Sequence, residues 1–376
     1  MSTTTANYVP GLDGLRALSV NIVMIGHVGF SQLVPGGLGV TTFFFISGYL
    51  ITLLLWQERE RFGRVDMPRF YGRRFLRLMP ELVAFVAVAG LVLGPWLNQP
   101  LPPLQALANL TYWTNYFTIF NLGGDCQTCA VTGHLWSLAV EEHFYLIMPA
   151  ALVLVGFAPR RIGWLFAAVI VVCLIWRTVA VTVLGWPEDY TYQSTETRLD
   201  SIAWGCLAAV VQRSMPGVMA RVGRHAWLMF GVGMVVLLGS IAWRDAVFRE
   251  TLRYSIQGLA LMLLVLPLVN AARLGWMVRI LEWPMLRWMG RRSYGAYLWH
   301  MAAISLVGLA FGVAGPLEGA SWREQLIALP FALVLGWVMA EASYRWIFSP
   351  AQRLKPYLLP RKLAAPAPAA EQPARA

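Results

Sequence analysis

The sequence predicts an all-α polytopic membrane protein with about ten transmembrane helices and both termini in the cytoplasm. Of its 376 residues, 58% are hydrophobic and only 13% are charged, which is about half the charged fraction of an average soluble domain. The apolar residues form runs of about 20, the length with which a helix crosses a bilayer. The basic residues gather on one side of these runs. These figures exclude a disordered chain, a coiled coil and a small disulfide-rich scaffold.

Ten apolar runs are the predicted spans. The sixth is the shortest, and its first turn carries Arg198 and Asp200. The predicted spans are residues 12–32, 38–56, 79–97, 134–156, 162–184, 198–212, 226–243, 253–271, 294–313 and 324–348. Together they predict one integral-membrane domain over residues 1–350. Residues 351–376 are rich in alanine and proline, and we expect them to form a disordered cytoplasmic tail.

The distribution of basic residues predicts the orientation. With the N-terminus inside, 22 of the 30 Lys and Arg residues fall in cytoplasmic segments, and only Arg244, Arg249, Arg253 and Arg323 fall in the opposite loops. Such an asymmetry is typical of the positive-inside rule. A net charge of +11 can also indicate nucleic-acid binding. Here the arginines occur in short clusters between apolar runs, so we expect no nucleic-acid partner.

The first predicted helix, LDGLRALSVNIVMIGHVGF, carries two ionisable side chains. Each costs at least about 2.5–3.5 kcal/mol inside a bilayer, so each requires a reason. Arg16 and His27 are eleven residues apart, or three helical turns, so they project from one face about 16 Å apart. A purely structural role stays open, with Arg16 snorkelling or pairing with Asp13 and His27 bonding to a neighbouring helix.

The segment RFYGRRFLRLMP places Arg73, Arg74 and Arg77 on about one helical turn. Guanidinium groups three or four residues apart can bind a phosphate through paired hydrogen bonds. The alternative is an ordinary cluster of cytoplasmic basic residues.

The segment HLWSLAVEEHFYLIMP is the most specific. His134, Ser137, Glu141 and Tyr145 stand at relative positions 0, 3, 7 and 11, which form one stripe of a helix. Polar groups on one side of an apolar span favour function over packing. A glutamate at this depth can orient or protonate a catalytic histidine on another helix.

The ninth predicted helix begins RRSYGAYLWH, in which Tyr297 and His300 share a face. For His300, two roles stay open: a hydrogen bond to a neighbouring helix, and a contact with substrate. Separately, Cys126 and Cys129 lie in DCQTC, which has too few ligands for zinc. A local disulfide is the expected state in an extracytoplasmic loop.

Taken together, these segments resemble the integral-membrane acyltransferases of type 3, the O-acetyltransferase-like group. The matching strings occur in the order of the family and extend from about residue 8 to residue 350. They are LDGLRAL with His27 downstream, GGLGVTTFFFISGYLIT, RRFLRLMP, HLWSLAVEEHFYLIMP, TETRLDSIAWGCLAA and RRSYGAYLWH. Thr41 stands where the family often has aspartate, and Phe348 stands where it tends to have glutamate. Many relatives also carry a C-terminal hydrolase-like domain, so the resemblance implies a stand-alone form.

The resemblance implies an enzyme of the bacterial inner (plasma) membrane. Such an enzyme moves an acyl group, usually acetyl, from acyl-CoA to a hydroxyl of a saccharide or glycolipid acceptor, with no metal and no cofactor beyond this co-substrate. By position, His27 is implied as the catalytic histidine and Arg16 as its motif partner. Arg74 and Arg77 match the R-x-x-R pair thought to engage the donor, and Glu141 matches the glutamate of W-S-L-x-x-E.

The resulting hypothesis gives each group a role. We expect Arg16 and the arginines at positions 73, 74 and 77 to hold the donor phosphates, and His134, Ser137 and Tyr145 to line the path of the substrate. His27 acts as general base or accepts the acyl group briefly, and Glu141 orients its imidazole. The competing hypothesis is a transporter that uses the buried Arg, His and Glu as a proton or substrate site.

Overall fold

The computed structural model describes residues 8–97, 100–122, 129–270, 272–312 and 317–358. Every regular element in these ranges is helical, so the all-α prediction is confirmed for the described part of the chain. Residues 351–358 form helical turns, and the rest of the predicted tail lies outside the described residues. The same holds for Cys126 and for the side chain of Cys129, and with them for the predicted disulfide.

A long helix overlaps each of the ten predicted spans. These helices are α1 (Leu12–Ile25), α2 (Gly36–Phe62), α3 (Met67–Val88), α8 (Trp136–Leu154), α9 (Pro159–Thr182), α11 (Thr195–Ser214), α13 (Ala226–Ala242), α15 (Leu252–Asn270), α17 (Pro284–Ala310) and α18 (Trp322–Ser343). The shorter helices are α4 (Gly94–Trp96), α5 (Pro103–Leu110), α6 (Thr114–Ile119), α7 (Cys129–Thr132), α10 (Glu188–Gln193), α12 (Pro216–Arg224), α14 (Ala246–Glu250), α16 (Gly275–Leu281) and α19 (Ser349–Gln352). π turns lie at Gly26–Phe30, Ala89–Leu93 and Tyr344–Phe348, and 3-10 turns at Gly133–Leu135, Ala272–Leu274, Leu317–Gly319 and Lys355–Leu358.

By length and hydropathy, six of the described helical segments can cross a membrane. A seventh is added if α12 and α13, which meet at 84°, count as one broken span. The chain is therefore a multi-pass helical protein, while the number of ten spans and the cytoplasmic termini stay predictions.

Two helices begin well before the predicted spans. α3 begins at Met67 rather than at residue 79, and α17 at Pro284 rather than at residue 294. Asp66 caps α3, accepting a hydrogen bond from the Arg69 backbone amide at 3.3 Å, and a proline stands in the first turn of each helix. These features start a helix whatever its hydropathy. The arginine-rich segments before these two predicted spans are therefore helical, as was expected for Arg73, Arg74 and Arg77.

The short sixth span corresponds to α11, which lies inside the bundle and packs against α2, α9 and α15. Small residues allow the backbones of α2 and α11 to touch. A Cβ atom at Gly48 would lie 2.1 Å from the Ile202 carbonyl oxygen, and one at Gly205 would lie 1.9 Å from that of Phe45. Gly48 and Gly205 therefore stand at a helix contact.

The interior of this bundle contains an ion pair between α9 and α11. Arg177 and Asp200 are both fully buried and form two hydrogen bonds, of 3.2 and 2.9 Å. Arg177 also donates to the Thr251 carbonyl (2.8 Å), to the Thr197 carbonyl and to Ser255 Oγ (2.9 Å). Ser255 in turn donates to Asp200 Oδ2 at 2.6 Å. We refer to these groups as the Arg177 network, in which every guanidinium nitrogen has a partner.

α1 packs between α2 and α17, and its regular geometry ends at Ile25. The chain continues as the π turn Gly26–Phe30, in which Gly29 has φ 128°. That φ lies in a region that side chains other than glycine rarely adopt. His27 lies in this π turn, next to α17.

Candidate active site

Three histidines from three different segments meet beside α17. The ring centres of His27 and His300 are 5.1 Å apart, and those of His300 and His134 are 4.8 Å apart. The Tyr297 ring lies 5.3 Å from His134 and 5.4 Å from His300. We refer to these four residues as the histidine cluster.

The hydrogen bonds of this cluster determine the tautomer of two imidazoles. His27 Nδ1 lies 3.0 Å from the Val23 carbonyl oxygen, and His300 Nδ1 lies 2.6 Å from that of Tyr297. A carbonyl only accepts, so each Nδ1 carries a proton and donates it. In the neutral ring, Nε2 then carries the lone pair. This is the form that a general base or a nucleophile requires.

Other polar atoms of the cluster lack partners. His134 and His300 are both buried, yet neither nitrogen of His134, nor Nε2 of His300, has a hydrogen-bond partner among the described residues. Leaving a buried polar group unpaired costs about 1–3 kcal/mol. A ligand or an ordered water would complete these groups.

Tyr297 connects this cluster to a small cavity of about 50 Å³, with room for a few water molecules. Its hydroxyl donates to the His134 carbonyl oxygen (2.9 Å) and lies 2.6 Å from Ser137 Oγ. The polar lining of the cavity is Arg16, Ser47, Ser137, Glu141, Ser293, Tyr294 and Tyr297. Of the predicted stripe, Ser137 and Glu141 share this cavity, whereas His134 belongs to the histidine cluster and the Tyr145 ring lies against Arg74.

Glu141 meets a partner on α2. Its carboxylate accepts a hydrogen bond from Ser47 Oγ at 2.9 Å. The Val23 carbonyl fixes the tautomer of His27, so the expected role of Glu141 in orienting that imidazole stays a prediction. Glu141 lies in the cavity wall, where its charge acts on whatever enters.

The arginine cluster divides into paired and unpaired members. Arg73 donates to Glu58 Oε2 at 2.6 Å. Arg74 binds Glu142 through two nitrogens, with Nε lying 2.8 and 3.1 Å from the carboxylate oxygens, and its guanidinium lies 3.2 Å from the ring centre of Tyr145. These contacts hold α3 against α2 and α8. Arg74 is thus occupied by Glu142 rather than open to a phosphate, because the neighbouring carboxylate meets it across the helix contact.

Arg77 is the exposed member of the cluster and forms no hydrogen bond or ion pair with the described residues. It lies close enough to Arg16 for their charges to repel. Arg16 donates through Nε to Ser293 Oγ at 3.1 Å, and its terminal nitrogens have no hydrogen-bond partner among the residues described. An anion binding at this end of the cavity would therefore meet Arg16 and Arg77 first.

Nothing in the described part of the chain groups three His, Cys, Asp or Glu side chains so as to hold a metal ion. The site thus consists of a histidine cluster and an adjoining cavity whose wall includes the Glu141 carboxylate and Arg16, with Arg77 near Arg16. This arrangement suits transfer of a group between oxygen, nitrogen or sulfur atoms.

A family model described as an acyltransferase domain matches residues 9–341. The chain belongs to this family. This membership favours acyl transfer over the transporter of the competing hypothesis.

Curated relatives agree with this assignment. The peptidoglycan O-acetyltransferase OatA of Listeria monocytogenes is 30% identical over 92% of this chain and 56% of its own length. YrhL of Bacillus subtilis, provisionally named a peptidoglycan O-acetyltransferase, is 31% identical over 91% of this chain and 55% of its own. SACOL0978 of Staphylococcus aureus, provisionally named an O-acetyltransferase, is 29% identical over 92% and 58%. The acyltransferase chain thus spans a little over half the length of these relatives. No solved structure matches it.

Sequence reasoning missed several partners in this acyltransferase. One is Ser47 of α2, which donates to Glu141. Glu58 and Glu142 bind Arg73 and Arg74. Both could have been predicted as partners, because each is a carboxylate that stands close to an apolar run and faces basic residues.

Arg198 is a second fully buried arginine, and it lacks a carboxylate partner among the described residues. It donates to the Tyr192 carbonyl and to Thr41 Oγ1, both at 3.1 Å, and its Nε has no partner. Aromatic rings enclose it, with ring centres 4.0–5.5 Å from the guanidinium carbon; they belong to Phe44, Trp136, Tyr192 and Tyr254. Thr41 is the position at which the family resemblance predicts aspartate, so this arginine meets a hydroxyl where a carboxylate was expected.

Proposed function

We propose that the protein transfers an acyl group, by default acetyl, from acyl-CoA to a hydroxyl of a saccharide or glycolipid acceptor at the membrane. The observation that carries this proposal is the line of polar groups from Arg16 and Arg77, along the Glu141 cavity, to the histidine cluster. A glycan acceptor is supported by the names of two relatives, which specify peptidoglycan.

The donor would bind with its phosphates at the arginine end. CoA carries several negative charges, and guanidinium groups bind phosphate through paired hydrogen bonds. Arg16 and Arg77 have the unused donors for this. Because the cavity is smaller than the pantetheine arm, we expect its aromatic walls, Phe43 and Tyr294, to move when the donor enters.

His27 would carry the proton transfers. Its Nε2 lone pair takes the proton of the acceptor hydroxyl as the oxygen attacks the thioester carbonyl. The new C–O bond forms, the C–S bond breaks, and the imidazolium returns its proton to the departing CoA thiolate. In a two-step version, the same Nε2 attacks the thioester and holds the acyl group before the acceptor arrives.

We also propose ten spans, both termini in the cytoplasm, and the bacterial plasma membrane as the location. Support comes from the long helix at each predicted span and from the uneven distribution of Lys and Arg between the two sides. Thiol labelling of single cysteines added at residues 2 and 375 in intact cells tests this orientation. Labelling by a membrane-impermeant reagent would contradict it.

The activity is tested with purified protein, radiolabelled acetyl-CoA and a glycan acceptor. We expect label to move to the acceptor, and His27→Ala to lower the rate by about 10²–10⁴-fold, which is the usual contribution of a general base. His225→Ala is the matched control, since His225 is exposed and lies outside the cluster. A folded His27→Ala protein with the full rate would contradict the role of His27, and the absence of transfer by the natural protein would contradict the donor.

A further inference from the structure

A second cavity, of about 260 Å³, lies at the opposite end of α2 from Arg73 and Glu58. The turn before α2, helix α10 and the segment from α13 to α15 enclose it. This is the end that the charge distribution predicts to lie outside the cell. Its lining includes three arginines, two tyrosines and a glutamine, which are Arg244, Arg249, Arg253, Tyr192, Tyr254 and Gln257.

Three of the cavity residues are arginines with unused donors. Arg244 donates to the Gln32 carbonyl oxygen at 3.0 Å, and Arg253 donates to the Tyr254 hydroxyl at 3.1 Å. Arg249 forms no hydrogen bond with the described residues, and none of the three forms an ion pair with them. Each guanidinium has five N–H donors, so most of theirs are available to a ligand.

The positive-inside rule does not account for these arginines. It explains basic residues at the cytoplasmic end of spans, whereas these three lie in the predicted outer loops. Only one further arginine, Arg323, lies in those loops, and it does not line the cavity. Three cations that converge on one cavity, on the side where such residues are scarce, indicate an anionic ligand.

The rest of the wall suits a sugar. Gln257 is 4% exposed and lines the cavity, yet it has no hydrogen-bond partner among the residues that the structure describes. Tyr192 and Tyr254 contribute aromatic surface, and the guanidinium of Arg198 packs against both rings. Aromatic rings cover the apolar face of a sugar ring, and amides and carboxylates bind its hydroxyls.

The charge of the wall selects among anions. Glu188 and Asp189 also line the cavity, so three guanidinium groups face two carboxylates and the net charge is +1. This charge matches a single carboxylate, while a phosphate dianion would exceed it.

We infer that this cavity binds a saccharide bearing a carboxylate, with the acid group at Arg249 and Arg253. As the acceptor of the transfer, this saccharide rests on the proposed function. Both cavities border α2, and Arg198 with its aromatic rings lies between them, since Phe44 lines one cavity and Tyr254 the other. The acceptor would thus approach the histidine cluster from the side opposite to the donor.

The test is calorimetric binding to the purified full chain in nanodiscs, without donor. The probes are a disaccharide containing glucuronic acid, and its methyl ester, which removes only the charge. We expect the acid to bind at least about tenfold more tightly, as paired hydrogen bonds to a charged group imply. In Arg249→Gln that preference should fall to within about twofold, while Arg323→Gln, a matched arginine outside the cavity, should retain it.

Equal binding of the acid and the ester, or no binding of either, would overturn the inference. A preference that survives in both Arg249→Gln and Arg253→Gln would place the carboxylate elsewhere, and displacement of the acid by an equal concentration of inorganic phosphate would reject the carboxylate in favour of phosphate. Transfer from acetyl-CoA by the natural protein is measured separately. If transfer fails while the acid still binds selectively, the proposed function falls and the binding site stands.

Discussion

Two buried polar groups of this bundle differ in one respect. In the Arg177 network, each guanidinium nitrogen and both Asp200 oxygens have hydrogen-bond partners. In the histidine cluster, both nitrogens of His134 and Nε2 of His300 have none among the described residues. Arg177, Asp200, His134 and His300 are all buried, so burial does not distinguish these residues.

The difference indicates what each group is for. A fully hydrogen-bonded ion pair leaves no nitrogen or oxygen without a partner for a ligand to bind, and this one connects α9 to α11 and α15. An incomplete set of polar atoms costs stability and is retained where a ligand or a proton completes it. Four substitutions test this comparison, in order of decreasing expected effect.

Asp200→Ala should have the largest effect, because it leaves the Arg177 charge buried without its counter-ion. Removing one partner of a buried pair costs about 3–5 kcal/mol. Thermal unfolding in detergent should show a large fall in the melting temperature. The double variant Arg177→Leu, Asp200→Leu leaves no charge behind and should be less destabilised than Asp200→Ala. The reverse order would contradict the structural role of the network.

Arg77→Gln should weaken donor binding without weakening the fold, since Arg77 has no partner among the described residues. Loss of a hydrogen-bonded charge costs about 1.5–3 kcal/mol, so we expect the KM for acetyl-CoA to rise about 10–100-fold with a similar kcat. Arg74→Gln is the contrasting variant, because it also breaks the bond to Glu142 and should lower the melting temperature. An unchanged KM for Arg77→Gln would remove Arg77 from the donor site.

His134→Phe should separate stability from activity. Phenylalanine keeps an aromatic ring beside Phe85 and Tyr297 and removes two unpaired nitrogens, so the free energy of unfolding should stay equal or rise by about 1 kcal/mol. Acyl transfer should fall in the same protein. A clear fall in melting temperature would show that His134 is a structural residue, and the comparison would then fail.

Thr41→Asp should give the smallest effect. It places beside Arg198 the carboxylate that the family resemblance predicts. We expect the free energy of unfolding to rise by about 1 kcal/mol, because the attraction between the two charges only modestly exceeds the cost of desolvating the second one. Thr42→Asp adds the same charge on the next residue, without an arginine partner, and should destabilise. If both variants destabilise equally, Arg198 does not require a counter-ion.

The sequence predicted those features that depend on local pattern. Helix positions followed from apolar runs, and the shared face of Ser137 and Glu141 followed from helical spacing. It did not predict the partner of Glu141 or of Arg74, because Ser47 and Glu142 are chosen by helix packing rather than by spacing. The second cavity was missed for the same reason. Arg244, Arg249 and Arg253 lie within ten residues of one another, but the turn before α2 and helix α10, which complete the cavity, meet them only when the helices pack.

The π turn at Gly26–Phe30 makes the orientation of His27 depend on the number of residues in the preceding stretch as well as on their identity. A π turn contains more residues than an α turn, and it lies where α1 delivers His27 to α17. Removal of one residue between Arg16 and His27 would turn the imidazole by about 100° relative to Arg16. Substitutions in this stretch change contacts one at a time, whereas a single deletion would point the imidazole away from its neighbours. Insertions and deletions in this stretch should therefore be tolerated far less well than in the loops.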